Sequence, residues 1–140
     1  MKHNGNFIDF TNQRNKELML CFRKAYDSHP YSDIHKIFET VVSYPCSRFW
    51  VSEERALLVV SALLKGLPIL DTMLPSKREM FLEIFRRTSA LLEQNPDKRL
   101  SDIVFDVVNS QAPKFYLTPG SALVIYYKIR QGHYDNRSRL

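Results

Sequence analysis

The sequence predicts an all-α fold of about six helices, set out as two tandem, pseudo-symmetric three-helix units sharing one core. Three observations predict it. Apolar residues recur at spacings of three and four over stretches long enough to be helices, and no stretch alternates convincingly with the period of two that a half-buried strand requires. Ser, Thr or Pro stand near the starts of these stretches and Gly, Pro or Asn near their ends, where helices begin and stop. The chain also repeats itself: the box Pro45-Cys46-Ser47-Arg48-Phe49-Trp50-Val51-Ser52 returns as Gln111-Ala112-Pro113-Lys114-Phe115-Tyr116-Leu117-Thr118. The same displacement of about 66 residues carries Ile37 to Ile103, Val41-Val42 to Val107-Val108, Ala56-Leu57 to Ala122-Leu123 and Gly66 to Gly132, the mark of a duplicated unit. On that basis residues 1–140 form a single helical domain, with one repeat over 11–66, a connection over 67–75, a second repeat over 76–132 and a flexible basic tail over 133–140.

Phe7, Ile8 and Phe10 form an apolar lead, and Thr11 or Asn12 is expected to start the first helix. It runs to about Ser28 with Leu18, Cys21, Phe22, Ala25 and Tyr26 inward, and His29-Pro30 ends it. Ser32 is expected to cap the second helix, whose stripe is Ile34, Ile37, Phe38, Val41 and Val42, with Pro45 just past its end. Ser52 is expected to cap the third, its side-chain oxygen taking an N–H of the first turn. Val51 and Ala56 have the spacing of a hydrophobic staple. From Ala56 to Leu64 only Ser61 interrupts the apolar surface, so this helix is expected to be buried all round, with Gly66 as a left-handed C-terminal cap. In the second repeat Ser76 is expected to open the fourth helix, with Met80, Ile84, Phe85, Thr88 and Leu91-Leu92 inward. Asn95-Pro96-Asp97 turns the chain, and Ser101 lies near the start of the fifth helix, with Ile103, Val107 and Val108 inward. Thr118, followed by Pro119 at the first helical position, opens a sixth helix running to Arg130.

A chain of 140 residues is long enough to bury a core without metal or disulfide staples. Cys21 and Cys46 have no metal-ligand spacing and sit among apolar residues, which points to free thiols in a reducing, cytoplasmic setting. Polar residues interrupt every apolar run, so no secretory leader or membrane span is expected. Twenty Lys plus Arg against fifteen Asp plus Glu give a net charge of +5, which favours anionic partners.

Catalysis finds little support. His3, His29, His35 and His133 lack zinc-ligand spacing, and no nucleophile elbow, metalloprotease motif or phosphate-cradling glycine loop is present. Asp102 and Asp106 lie four apart on one helix face, but Asp102 in a first turn is what the helix dipole favours. No enzyme activity, cofactor, metal or small-molecule substrate is therefore expected.

The basic residues are clustered. Arg14, Lys16, Arg23 and Lys24 lie on the first helix, Lys77, Arg78, Arg86 and Arg87 on the fourth, and Lys128 and Arg130 at the end of the sixth, followed by Arg137 and Arg139 in the tail. Such faces can track phosphates, which makes a non-enzymatic nucleic-acid-binding accessory protein the leading expectation. The bland alternative is a solvated surface. The box itself divides in the same way: it sets the entry of a helix, or it presents Arg48 with Trp50 and Lys114 with Tyr116 to a phosphate and a base. A second expectation is a protein–protein interaction or assembly module, homodimer included, because Trp50, Leu58, Tyr126 and Tyr127 exceed what a small bundle must bury.

Three helices with a capped third resemble a tri-helical helix-turn-helix in layout alone. The link between the second and third helices is longer than the usual turn, and Glu53-Glu54 would face phosphates. The box resembles a P-A-P-[RK]-F-[YW]-[VL]-[ST] box of small uncharacterised bacterial helical proteins from mobile or phage-derived regions, over most of residues 32–132. Cys46-Ser47 and Gln111 depart from it, and the resemblance implies no activity and no functional residue.

Overall fold

The computed structural model of this chain describes residues 2–134, with side chains from residue 10 onward. Among the described residues it has six α-helices and no β-strand: α1 (Lys2–Ser28), α2 (Ile34–Val41), α3 (Glu53–Leu64), α4 (Pro75–Gln94), α5 (Leu100–Val108) and α6 (Pro119–Arg130). The helical periodicity thus carried the fold class correctly.

The helices group in an order that the repeat boundaries did not anticipate. One compact unit contains α1, α2 and α6, and the other, Ser47–Ala112, contains α3, α4 and α5. In the first, α2 packs on both α1 and α6, and α1 meets α6; in the second, α3 and α4 pack on α5 and on each other. Each repeat's third helix therefore joins the first two helices of the other repeat. The chain changes unit between Cys46 and Ser47 and again between Ala112 and Pro113, at the same place in both boxes. A link of residues 42–52 separates α2 from α3, and when extended that length of chain reaches roughly 35 Å, far beyond a tight helix–helix turn. The consecutive α1, α2 and α3 consequently do not make a helix-turn-helix domain.

The box phenylalanines show what the crossover accomplishes. Phe49 N–H donates to the Val108 carbonyl at 2.9 Å in one unit, and Phe115 N–H donates to the Val42 carbonyl at 3.1 Å in the other. Both donors and both acceptors are related by the same residue displacement. Each bond satisfies a carbonyl left open at the C-terminal end of a helix. Both rings are fully buried, as expected of core anchors.

The two strongest caps are as expected. Ser52 Oγ accepts from Arg55 N–H at 3.1 Å, and Thr118 Oγ1 accepts from Ser121 N–H at 3.1 Å, with Pro119 opening α6. Val51 and Ala56, the staple pair, are both buried. Gly66 has φ +77°, with its N–H on the Leu63 carbonyl and Leu67 N–H on the Ala62 carbonyl, a Schellman ending.

Other expectations need correction. The first helix does not wait for Thr11: α1 already begins at Lys2, because no proline interrupts that stretch, and Thr11 is buried within it. Asp33, not Ser32, precedes α2, and Leu74, not Ser76, precedes α4, whose Pro75 occupies the first turn. The third helix is not buried all round. Ala56, Val59 and Val60 face the core of its unit, while Leu58 and Leu64 are exposed. Tyr26 lies outside its expected core stripe, and Tyr126, expected to be partly exposed, is buried. Phe10 is buried; the side chains of Phe7 and Ile8, and the tail residues Arg137 and Arg139, lie outside the described residues.

Candidate nucleic-acid interface

The box does not present its cations to solvent partners. Arg48 turns back on its own segment, with Nε donating to the Phe49 carbonyl at 2.9 Å and a terminal nitrogen to the Val51 carbonyl at 2.6 Å. Burial pushes its guanidinium pKa below the usual value, against the opposing pull of Glu53. Lys114 Nζ lies 5.6 Å from the ring centre of Tyr116, which is itself buried and held at φ +58°, a left-handed conformation rare for an aromatic residue. Cys46 Sγ donates to the Lys114 carbonyl at 3.3 Å. These contacts support the helix-entry role of the box.

The four cations of α4 fare differently from those of α1. Arg78 donates to the Leu70 and Met73 carbonyls at 3.3 and 2.9 Å, tying the preceding connection to the helix. Arg86 grips Glu83 with two nitrogens, at 3.0 and 2.6 Å. Arg87 reaches Glu83 at 2.7 Å, Ser110 Oγ at 3.2 Å and the Gln111 carbonyl at 2.7 Å, with its guanidinium 5.0 Å from the centre of the Phe49 ring. Hydrogen bonds from Arg86 and then Arg87 outweigh burial and hold the Glu83 carboxyl below the usual carboxylate range. Three of the four are thus engaged within their own unit; Lys77 is exposed. A 450 Å³ crevice between α4 and α5 includes Arg86 and Arg87, both held by Glu83, and Asp106, which accepts from Lys98 at 3.1 Å.

In the other unit, Arg14 donates to Asn15 Oδ1 at 3.2 and 3.0 Å. Lys16, Arg23 and Lys24 are exposed and share one face of α1 with Leu20 and Asp27, at successive helical spacings. Lys24 Nζ lies 5.5 Å from the Tyr44 ring centre. Lys128 and Arg130 occupy the last turn of α6, where the helix dipole also favours cations. Arg130 donates to the Tyr126 hydroxyl at 2.8 Å and lies 5.7 Å from that ring's centre.

Between α1 and α6, Arg23 and Arg130 border an open cleft of about 610 Å³, lined also by Met19, Phe22, Tyr26, Asp27 and Tyr126. Its floor is aromatic. Phe22 lies 4.6 Å from Tyr126, 5.3 Å from the stacked Phe38 and 5.8 Å from Tyr26, centre to centre. The sequence supplied each residue but not this meeting, because Tyr126 and Arg130 come from the second repeat and the others from the first.

Among the described residues no group of three or more His, Cys, Asp or Glu side chains is placed to hold a metal ion, and no helix is long and apolar enough to cross a membrane. Compared with protein-family models, with curated proteins and with solved structures, the chain matches none.

Proposed function

We propose that this protein is a non-enzymatic accessory protein that binds nucleic acid through phosphate contacts made by the α1–α6 unit. The observation that carries this reading is the shared exposure of Lys16, Arg23 and Lys24 on α1, together with Lys128 and Arg130 on α6 in the same unit. The α4 cations contribute less, since Arg78, Arg86 and Arg87 would have to leave intramolecular partners to reach a phosphate.

Phosphate contacts release counterions, so affinity must fall as salt rises. With about five contacts, raising salt from about 50 to 200 mM should weaken single-strand binding about a hundredfold and duplex binding several hundredfold. Replacing Arg23, Lys24 and Lys128 together with Gln should flatten that dependence, whereas replacing Lys77 should change it little. Absence of binding at low salt, or a triple variant indistinguishable from the parent, would refute the proposal.

A second reading, as a protein interaction module, is favoured by exposed leucines in the α3–α5 unit. Leu58, Leu64, Leu67 and Leu74 are each about half exposed or more. Under that reading sedimentation should show concentration-dependent self-association that Leu58→Gln with Leu64→Gln abolishes; a monomer at high concentration would count against a homodimer.

A further inference from the structure

We infer that the α1–α6 cleft receives one unstacked base of a single strand, with guanine favoured, while Arg23 and Arg130 hold the adjoining phosphate. This rests on the nucleic-acid reading above and names its ligand. Four features of the cleft meet that chemistry.

Its volume of about 610 Å³ lies within the range of about 300–1,000 Å³ usual for small-molecule sites. A base paired inside a duplex must first be unpaired and unstacked to enter it, at a cost in free energy, so an already unpaired strand is preferred. Tyr26 is 45% exposed and is backed by Phe22, which is braced by Phe38 and Tyr126. A ring exposed on one side and supported by an aromatic cluster is a stacking platform, indifferent to which base it receives.

Arg130 is held in place by the Tyr126 hydroxyl and ring, so its fork is oriented before a ligand arrives. Arg23 is exposed at the same cleft and makes no ion pair among the described residues. Two guanidiniums in one cleft suit a phosphate, whose oxygens accept from their planar forks.

Asp27 supplies the selectivity. A carboxylate repels phosphate and can only accept, so it selects a base edge rich in N–H donors. Guanine offers adjacent ring N–H and amino donors to one carboxylate; thymine offers a single ring N–H.

The test uses fluorescence anisotropy of the full chain with three probes: a short oligothymidine strand, the same strand with one central guanine, and the corresponding duplex. The guanine strand should bind about fivefold or more tighter than oligothymidine, the magnitude of one good two-point base contact. Asp27→Asn should erase that preference. Tyr26→Ala should weaken both single strands about tenfold without changing the salt dependence, and Tyr26→Phe should retain affinity. Circular dichroism of each variant verifies that it is folded.

Equal affinity for the three probes, with Tyr26→Ala binding as the parent does, overturns the base-binding inference and leaves the phosphate reading standing. No binding of any probe at low salt overturns both. Guanosine monophosphate serves as competitor: displacement only at concentrations far above the strand's supports a strand ligand, and displacement at equal or lower concentration makes the free nucleotide the occupant and overturns the strand.

Discussion

Replacing Phe49 with Ala should loosen a part of the protein remote from it in sequence. Phe49 precedes α3 in the first repeat, but its ring is fully buried in the unit that also contains α4 and α5, its N–H holds the Val108 carbonyl, and Arg87 of α4 lies over its face. Returning a buried Phe side chain to water costs about 1.5–3 kcal/mol. A residual cavity of about 50 Å³ adds roughly 1.2 kcal/mol at about 24 cal/mol per Å³. Loss of the ring beneath Arg87 adds about 0.5–1 kcal/mol. The sum, about 3–5 kcal/mol, is a large share of the roughly 5–15 kcal/mol that stabilises a typical domain. Phe49→Leu, which keeps most of the volume, should cost about 1.5 kcal/mol or less. Urea denaturation gives the size of the loss, and hydrogen exchange by mass spectrometry gives its place. Sub-global opening should expose amides of α4 and α5 in Phe49→Ala while α1 and α2 keep their protection. A loss below about 1 kcal/mol would refute the core-anchor role. Exchange rising in α1 and α2 alone would refute the assignment of Phe49 to the α3–α5 unit.

The remaining predictions concern helix entry and pH. Ser52→Ala and Thr118→Ala should each lower stability by about 1 kcal/mol in urea denaturation, since each deletes an oxygen that accepts a first-turn N–H; no change in either would show that the cap is dispensable. Glu83 has a folded-state pKa held below its unfolded value by Arg86 and Arg87, so its contribution is present above the unfolded pKa and fades as pH falls through the folded one. Glu83→Gln should therefore cost about 1 kcal/mol or less at neutral pH, and that deficit should shrink as pH falls through the folded-state pKa and the parent carboxylate takes up its proton. An undiminished deficit in acid would mean that packing, not charge, is what the substitution removed.

Much of this architecture was legible because caps and turns are local. Ser52, Thr118 and Gly66 each act through bonds within a few residues, and the sequence pattern contains all of them. The start of α2 shifted where two residues of cap type adjoin, Ser32 and Asp33, and the start of α4 shifted because Pro75 opens the helix ahead of Ser76. The partner of each third helix was not legible from the stripes. The apolar face of α3 suits either pair of first and second helices, because the stripe residues Ile37, Val41 and Val42 recur in sequence as Ile103, Val107 and Val108. The length of the link is the one local difference from a tight turn, and residues 42–52 are long enough to let α3 pack away from α1 and α2. That length was visible in the sequence, but it weighed against a helix-turn-helix without pointing to an exchange.

The candidate site was less legible for a reason rooted in arginine chemistry. On α4 the sequence places Arg78, Arg86 and Arg87 as though on an open basic face, yet an arginine carries five donors in a rigid fork and is readily recruited by nearby carbonyls and carboxylates. The Leu70, Met73 and Gln111 carbonyls recruit Arg78 and Arg87, and Glu83 takes Arg86 as well as Arg87. Those carbonyls belong to loops, so no helical spacing announces them. On α1 no acceptor among the described residues takes the Arg23 or Lys24 side chain, and both remain exposed. The paired cations Arg23-Lys24 and Arg86-Arg87 therefore carry unequal capacity for phosphate, and the difference lies in the carbonyls and the carboxylate around each. A substitution series on Arg23 and Arg86 separates the two cases, because loss of the first should be read in ligand affinity and loss of the second in the stability that Glu83 contributes at neutral pH and that fades in acid.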